Sequence, residues 1–246
     1  KLVNWDTVLK TAISDLEVDQ REVNSKLYHI NYPIEGTDKF ITIATTRPET
    51  MLGDTAIAVN PSDERYKSLV KKNVIIPIVN RKIKIIEDEY ADPEQGTGAV
   101  KITPAHDFND YEVGERNKLE IINIFTPDGK INENSPKNYI GLDRFEARKR
   151  ILKELSDKKL LVKEEKIKNK VPYGDRSNSI IEPYLTEQWF ADAKKLSIKA
   201  KDIVNNKTTN FFPANWTKTY FQWMDNIEPW CISRQLWWGH QIPAWY

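Results

Sequence analysis

One stretch near the middle of the chain places four polar side chains where a predicted strand meets a predicted helix. Lys101 and Thr103 are two residues apart in a strand pattern, so both side chains lie on the same face. Asp107 and Asp110 are three apart at a helix start, where they share a face and the helix dipole favours negative charge. The group suits a substrate with an ammonium group, which Asp107 could pair with, and a hydroxyl, from which Asp110 could accept.

A second stretch, Thr45-Thr46-Arg47-Pro48-Glu49-Thr50, follows an earlier strand pattern. Pro48 cannot donate to a strand ladder and therefore marks the end of that strand. Side chains at the end of a strand project into whatever cleft the sheet borders. Arg47 could bind a phosphate or a carbonyl oxygen there, and Thr50 could line a small polar pocket.

Both stretches also admit a structural explanation. First-turn carboxylates are common helix caps, so Asp107 and Asp110 could serve only the helix, with Lys101 as their partner on the surface. The residues around Arg47 could form an ordinary loop of hydroxyl-stabilised turns. From residue types alone, both explanations stay open.

Other chemistries find less support in the sequence. A metal site built on His106, Asp107 and Asp110 lacks a second His or Cys nearby. The chain has no Ser-His-Asp order and no Gly-x-Ser-x-Gly elbow, which disfavours a covalent hydrolase. A glycine-rich phosphate-binding loop is also missing. We therefore predict a site that holds no metal ion and forms no covalent intermediate.

The overall composition narrows the class of protein. Lys and Arg number 37 against 36 Asp and Glu, so nucleic acid would have to bind a local patch or rely on other domains. The single cysteine, Cys231, excludes an internal disulfide and a multi-cysteine zinc site and fits a reducing cytoplasm. No apolar run approaches the ~20 residues that span a bilayer, and the first residues lack a basic-then-apolar pattern, so secretion is not expected. Without an initiator Met, the chain is expected to be a piece of a longer protein.

The surrounding sequence predicts a mixed fold in which strands dominate. β-Branched runs bounded by Gly, Pro, Asn and Asp predict strands at 40–45, 55–59, 74–78, 82–86 and 99–103. Capping and apolar spacing predict helices at 62–72, 107–118, 143–158 and 187–204. The irregular spacing of the helices favours an α+β domain, with a barrel-like, mainly antiparallel sheet and peripheral helices, over a regular βαβ repeat.

The two ends of the chain differ in character from its centre. The sequence predicts a lead-in at 1–20, a main domain at 21–185 and an aromatic-rich return segment at 186–246. Seven of the eight Trp lie beyond residue 188. Such a density of aromatic residues is rare on the surface of a free domain, so we expect 205–246 to pack imperfectly and to belong against a body outside this chain.

The two polar stretches resemble the signatures of the editing domain inserted in valyl-, isoleucyl- and leucyl-tRNA synthetases. Residues 45–50 are similar to the threonine-rich strand of that domain, and residues 96–107 to its Gly-Thr-Gly strand, which ends in His-Asp at a helix. The flanks, 2–18 and 230–246, resemble those of the valyl members. The synthetic motifs His-Ile-Gly-His and Lys-Met-Ser-Lys-Ser are not present, so ATP would serve only a synthetic domain outside this chain.

The resemblance implies the synthetase editing-domain fold and post-transfer editing, which is the hydrolysis of threonine from mischarged tRNA(Val). Asp107 would bind the α-ammonium group of the amino acid, while Arg47 and Thr50 would hold the 3′-terminal adenosine and the ester. The implied catalytic residues are Asp107, Lys101 and Thr103. The implied substrate-binding residues are Arg47, Thr50, Thr45, Thr46 and Asp110.

The resemblance also implies the partners of such a domain. They are the acceptor end of tRNA(Val) carrying a non-cognate amino acid and the rest of a synthetase chain, in the cytoplasm and without a membrane. Editing of this kind needs no cofactor.

Three alternatives remain at this point. The chain could be an isoleucyl- or leucyl-type editing domain that clears other amino acids. It could be a non-catalytic module that docks tRNA or braces the synthetic domain. A free-standing deacylase acting in trans is disfavoured, because it would have no use for the tryptophan-rich segment.

Overall fold

The computed structural model describes residues 1–245; Tyr246, the last residue of the predicted return segment, lies outside them. The described part contains four α-helices, α1 Phe108–Asn117, α2 Arg144–Asp157, α3 Ala193–Asn205 and α4 Trp216–Asp225. Its strands are β1 Leu2–Asp6, β2 Thr11–Ile13, β3 Val18–Pro33, β4 Phe40–Thr45, β5 Ala56–Val59, β6 Asn73–Ile75, β7 Lys82–Glu87, β8 Ala99–Ile102, β9 Leu161–Gly174, β10 Glu182–Leu185, β11 Phe190–Ala191 and β12 Trp230–Cys231.

A long antiparallel ribbon forms one side of the main domain. Strand β3 pairs with β9 along nearly its whole length and with β4 along its second half, giving the order β4-β3-β9. In the second half of β3, alternate side chains point into the core, so Tyr28, Ile30 and Tyr32 are buried. The first half carries no fully buried side chain and pairs only with β9, as a two-stranded ribbon.

A four-stranded sheet, β6-β7-β5-β8, forms the other side. Its central strand β5 is covered on both faces. Ile57 and Val59 point into the main core with the ribbon and α2, whereas Ala56 and Ala58 pack with Val113 of α1. Helix α1 is therefore fixed against the outer face of this sheet, directly after the end of β8.

The predicted fold class is confirmed in its main features. The fold is a mixed α+β arrangement in which most strand pairs are antiparallel, with β5 and β7 as a parallel pair. Within residues 1–245 the strands form four separate sheets, and none of them closes into a barrel.

Most of the predicted elements in the main domain are also confirmed. Strands occupy 40–45, 56–59, 82–87 and 99–102, and helices α1 and α2 fall within the predicted 107–118 and 143–158. The predicted strand at 74–78 is shorter, since β6 ends at Ile75. The two long strands of the ribbon were not predicted.

Two predicted helices are wrong in whole or in part. Residues 62–72 form turns with one short 3₁₀ helix, because Asn60 and Asp63 side chains accept hydrogen bonds from nearby backbone N–H groups. The helix predicted at 187–204 begins only at Ala193. The residues before it are extended because Phe190 and Ala191 pair with β12.

The two ends of the chain meet beside the main domain. Strand β1 lies between β2 and β10 in a third sheet, and the small β11–β12 pair forms a fourth. Val3, Trp5 and Ala12 share a buried cluster with Cys231. No helix of the described part is long and apolar enough to cross a membrane.

Candidate active site

All eight sequence-predicted site residues line a single cleft of about 250 Å³ between the end of β4, the end of β8 and the start of α1. They are Thr45, Thr46, Arg47, Thr50, Lys101, Thr103, Asp107 and Asp110. Leu27, Ala44, Tyr90, Val100 and His106 complete the lining. The structure thus brings together two stretches that are about fifty residues apart in the chain, although their roles stay predictions.

The floor of the cleft is organised by Lys101. Its side chain is almost completely buried and its ammonium group donates to three oxygens. These are the Thr50 hydroxyl at 2.7 Å, the Asp54 carboxylate at 3.2 Å and the Thr103 hydroxyl. An ammonium group has three N–H donors, so all of them are used inside the protein. The prediction that Lys101 could be a surface partner of the helix carboxylates is therefore wrong.

Asp54 is a functional candidate that the sequence analysis missed. It is fully buried beneath the cleft, where it compensates the charge of Lys101. It also accepts from the Thr103 hydroxyl at 2.6 Å and from the Tyr32 hydroxyl at 2.7 Å. No motif in the sequence marks Asp54, so only its contacts in the structure identify it.

The hydroxyl groups of Thr103 and Thr50, on the floor of the cleft, both use their protons in hydrogen bonds within the protein. The Thr103 hydroxyl donates to Asp54 and accepts from Lys101. The Thr50 hydroxyl donates to the Arg47 carbonyl oxygen at 3.0 Å and likewise accepts from Lys101. A hydroxyl has one proton and two lone pairs, so each retains one lone pair. Both can accept a hydrogen bond from a ligand, and neither is free to donate one.

Asp107 caps helix α1, as predicted by the hypothesis that this carboxylate stabilises the start of the helix. Its Oδ1 atom accepts from the backbone N–H groups of Asn109 at 2.8 Å and Asp110 at 3.1 Å. The side chain nevertheless stays exposed at the cleft, and Oδ2 accepts no hydrogen bond from residues 1–245. One carboxylate oxygen therefore serves the helix, and the other is available to a ligand.

Asp110 has a different environment one helical turn further on. Its Oδ2 accepts from the Thr103 backbone N–H at 2.8 Å, which joins the end of β8 to α1. Burial raises the pKa of Asp110 to about 7; the nearby Lys101 charge works against this shift, and Asp107 adds to it. Asp110 therefore does not cap the helix, so the explanation of this residue as a helix cap is wrong. Its carboxyl group titrates near neutral pH inside the cleft.

Arg47 lines the cleft and is held there by three groups. Its guanidinium pairs with Glu182 of β10, donates to the His106 carbonyl oxygen at 3.1 Å and lies 3.4 Å from Glu49. Burial alone lowers the pKa of Arg47, but Glu182 and Glu49 outweigh burial and raise this pKa above its usual value. The Thr45 hydroxyl accepts from the Arg47 backbone N–H at 3.1 Å and fixes the turn.

Two further lining residues carry rings. Burial, followed by the charges of Asp110 and Asp107, raises the pKa of Tyr90 to about 12, so its hydroxyl stays protonated. Burial and the nearby Arg47 and Lys101 charges lower the pKa of His106 well below its usual value. The Nε2 atom of His106 accepts from the Ile124 backbone N–H at 3.0 Å, so the neutral ring serves packing.

The described residues hold no group of three or more His, Cys, Asp or Glu side chains that could bind a metal ion. The cleft instead offers hydrogen-bond acceptors on its floor and at its mouth. An ammonium or hydroxyl group of a ligand would find partners there.

Comparisons with known proteins identify the family to which the chain is similar. The whole chain, residues 1–246, matches the family described as tRNA synthetases class I (I, L, M and V). A valine–tRNA ligase of Pelagibacter ubique is 84% identical over 246 residues, which are 100% of this chain and 28% of that protein. A valine–tRNA ligase of Mesorhizobium japonicum is 56% identical over 270 residues, covering 100% of this chain and 29% of that protein. The chain thus spans less than a third of these relatives.

A more distant likeness is found among solved structures. The LeuRS of Agrobacterium radiobacter K84, in a ternary complex with tRNA and LeuAMS, is 18% identical with a TM-score of 0.44. The match covers 69% of this chain and 29% of that one. This likeness is too slight to assign a fold or a function.

Proposed function

Because the chain belongs to the class I tRNA synthetases of the I, L, M and V group, we propose that its cleft hydrolyses threonine from mischarged tRNA(Val). This reaction is the post-transfer editing step of a valine–tRNA ligase. Valine and threonine have nearly the same shape, so an apolar synthetic pocket separates them poorly, a difficulty for which valyl-tRNA synthetases are the standard example. A second site that accepts threonine and refuses valine solves this problem.

The observation that carries the proposal is the excess of hydrogen-bond acceptors in the cleft. Thr50 and Thr103 can each accept one more bond, and Asp110 presents a second carboxylate oxygen. A threonine side chain brings a hydroxyl donor that can satisfy one of these groups. A valine side chain brings only a methyl group, which would leave a buried acceptor unpaired at a cost of about 1–3 kcal/mol.

Asp107 supplies the anchor for the other end of the amino acid. Its unoccupied Oδ2 can pair with the α-ammonium group in a charge-assisted hydrogen bond. Arg47, which also lines the cleft, carries N–H donors for the 3′-terminal nucleotide and its ester. With both ends fixed, a water molecule that donates to the floor hydroxyls attacks the ester carbonyl. The bond between the carbonyl carbon and the ribose oxygen breaks, the ribose oxygen takes up a proton of the water, and threonine is released. Positioning provides most of the acceleration.

Lys101 contributes to this reaction indirectly. Its three N–H groups are used by Thr50, Thr103 and Asp54, so it fixes the direction in which each hydroxyl presents its remaining lone pair. His106 does not act as the base in this scheme, because its Nε2 is occupied by a backbone N–H. The proposed reaction uses neither a metal ion nor a cofactor.

The proposal includes two partners. One is the acceptor end of tRNA(Val), which presents the ester, and the other is the remainder of a cytoplasmic synthetase chain. The second partner is supported by the relatives, which are more than three times as long as this chain. The exposed aromatic side chains near the end of the chain provide a surface for it.

A deacylation panel tests the proposed function. Single-turnover hydrolysis is measured for Thr-tRNA(Val), Val-tRNA(Val) and Val-tRNA(Ile), each mixed with an excess of the chain. We expect Thr-tRNA(Val) to react at least about fivefold faster than Val-tRNA(Val), because one unpaired buried acceptor costs about 1 kcal/mol or more. The absolute rate should be low, since most of the tRNA lies outside the reach of this chain.

Each alternative gives a different result in the same panel. Fastest hydrolysis of Val-tRNA(Ile) would indicate an isoleucyl-type editing domain. Binding of all three tRNAs without hydrolysis would indicate a docking module. Equal rates for the two tRNA(Val) esters would contradict selection by the floor acceptors.

A further inference from the structure

A cluster of three arginines and two glutamates lies beside the cleft, and Arg47 is one of the three arginines. Glu49 is fully buried and accepts two hydrogen bonds from Arg148, both of 2.7 Å. Glu182 is almost fully buried and pairs with Arg47 and with the Arg144 Nε atom at 3.1 Å. Three cations face two anions, so the cluster has one positive charge in excess.

Arg47 is the member of this cluster that lines the cleft, where the Asp107 charge also acts on it. Arg148 already neutralises Glu49 in a two-bond pair, and Glu49 is only a distant partner of Arg47 at 3.4 Å. Glu182 is therefore the main carboxylate partner of Arg47. About a third of the Arg47 side chain remains exposed, and Arg47 lines the cleft.

The contacts of Arg47 also fix its orientation. Its Nε faces Glu49, one terminal nitrogen donates to the His106 carbonyl oxygen and the other to Glu182. A guanidinium has five N–H donors in a rigid plane. Two donors therefore remain, one on each terminal nitrogen, for an anionic or carbonyl oxygen of a ligand.

Glu182 lies in a different sheet from the strand that precedes Arg47. It lies on β10, which pairs with β1 of the third sheet, whereas Arg47 follows β4 of the ribbon sheet. Arg144 does not depend on Glu182 for its position, because it also donates to the Thr7 hydroxyl at 3.0 Å and to the Ile180 carbonyl oxygen at 2.9 Å.

We propose that Glu182 is a positioning residue that orients the Arg47 guanidinium and thereby sets the affinity of the cleft for the phosphate or ester oxygens of the tRNA 3′ end. This inference rests on the proposed editing function and adds to it a residue outside the cleft. Glu182 itself touches no substrate. Its effect on the reaction passes entirely through Arg47.

A double-mutant cycle tests this role. Steady-state hydrolysis of Thr-tRNA(Val) is measured for the unchanged chain, Glu182→Gln, Arg47→Ala and the double variant. We expect Glu182→Gln to raise KM about tenfold, the usual size for a lost charge-assisted hydrogen bond, while kcat changes less than about threefold. In the Arg47→Ala background the same change should have no further effect on KM. Glu182→Asp, which keeps the charge, should recover part of the affinity.

The matched control is Asp63→Asn. Asp63 is also a buried carboxylate paired with an arginine, Arg65, but it lies outside the cleft. We expect this variant to lower Tm without changing KM. An unchanged KM in Glu182→Gln, or a full effect of Glu182→Gln in the Arg47→Ala background, would overturn the positioning role while leaving the proposed function intact.

Two further outcomes are decisive. If the unchanged chain hydrolyses no ester at all, the proposed function fails and the positioning role fails with it. If Glu182→Gln does not fold, the Glu182→Asp variant and the ¹⁵N NMR signal of the Arg47 guanidinium decide the question. A slower-exchanging Arg47 signal in the unchanged chain than in Glu182→Asp supports the role, and identical exchange contradicts it.

Discussion

The cleft and the aromatic-rich return segment depart from the usual pattern of a folded protein in opposite directions. In the cleft, the ionisable side chains of Asp54, Lys101 and Asp110 are buried. In the return segment, large apolar side chains are exposed, and Trp237 and Trp238 are almost completely accessible to solvent. Buried charge and exposed aromatic surface are both costly, so each region needs an explanation beyond the stability of the fold.

The difference indicates two kinds of partner. The buried polar groups of the cleft satisfy one another and leave a few acceptors at fixed positions, which suits a small polar ligand. The aromatic side chains leave a broad apolar surface, which suits another protein surface. Changes at the buried charges of the cleft should therefore alter both stability and activity, and changes at the exposed tryptophans of the return segment should alter neither in this chain.

The largest expected effect belongs to Lys101→Ala. This change leaves the Asp54 carboxylate buried without its counter-ion, which typically costs about 3–5 kcal/mol. We expect a large fall in Tm and complete loss of Thr-tRNA(Val) hydrolysis. Thermal unfolding with the Asp54→Asn, Lys101→Met double variant as control checks the reason, because removing both charges should recover much of the stability.

A pH effect of intermediate size is expected at Asp110. Its pKa in the folded chain is raised to about 7 from its usual value of 3.8. Between these two values the folded state binds more protons at this group than the unfolded state, so its contribution makes stability fall as pH rises. We expect the difference in Tm between the unchanged chain and Asp110→Asn to shift in favour of Asp110→Asn from pH 4 to 7. A constant difference across that range would contradict the assignment.

The smallest effect is expected in the return segment. Replacing Trp237 and Trp238 together by Ser should change the free energy of unfolding by less than about 0.5 kcal/mol, as is usual for exposed positions. The rate of Thr-tRNA(Val) hydrolysis should stay the same. Urea unfolding and the deacylation assay check both expectations. A loss of stability comparable with that of Lys101→Ala would show that this segment is part of the folded core.

The features that were predictable from sequence are those with a local signal. Strands 40–45 and 99–102 and helices α1 and α2 show alternation, helical spacing or caps within ten to fifteen residues. The same local signals place Lys101 and Thr103 on one strand face and Asp107 at the helix start. The predicted residues therefore meet in one cleft because two strand ends lie side by side.

The features that were not predictable depend on contacts between distant residues. Strands β3 and β9 are more than a hundred residues apart in the chain, and their exposed halves carry charges that hide the strand pattern. Asp54 and Glu182 contact the candidate site through residues that are distant from them in the chain. Neither has a motif of its own, so only the three-dimensional structure reveals them as part of the site.

The most direct test of the whole account replaces Asp107 by Asn and by Ala. Asn caps a helix about as well as Asp, so Asp107→Asn should keep the Tm, whereas Asp107→Ala should lose about 1 kcal/mol of stability. If Asp107 anchors the α-ammonium group of the substrate, both variants should slow single-turnover hydrolysis of Thr-tRNA(Val) by about 10² or more. Hydrolysis by Asp107→Asn at the unchanged rate would show that this carboxylate is a helix cap and would contradict the proposed site.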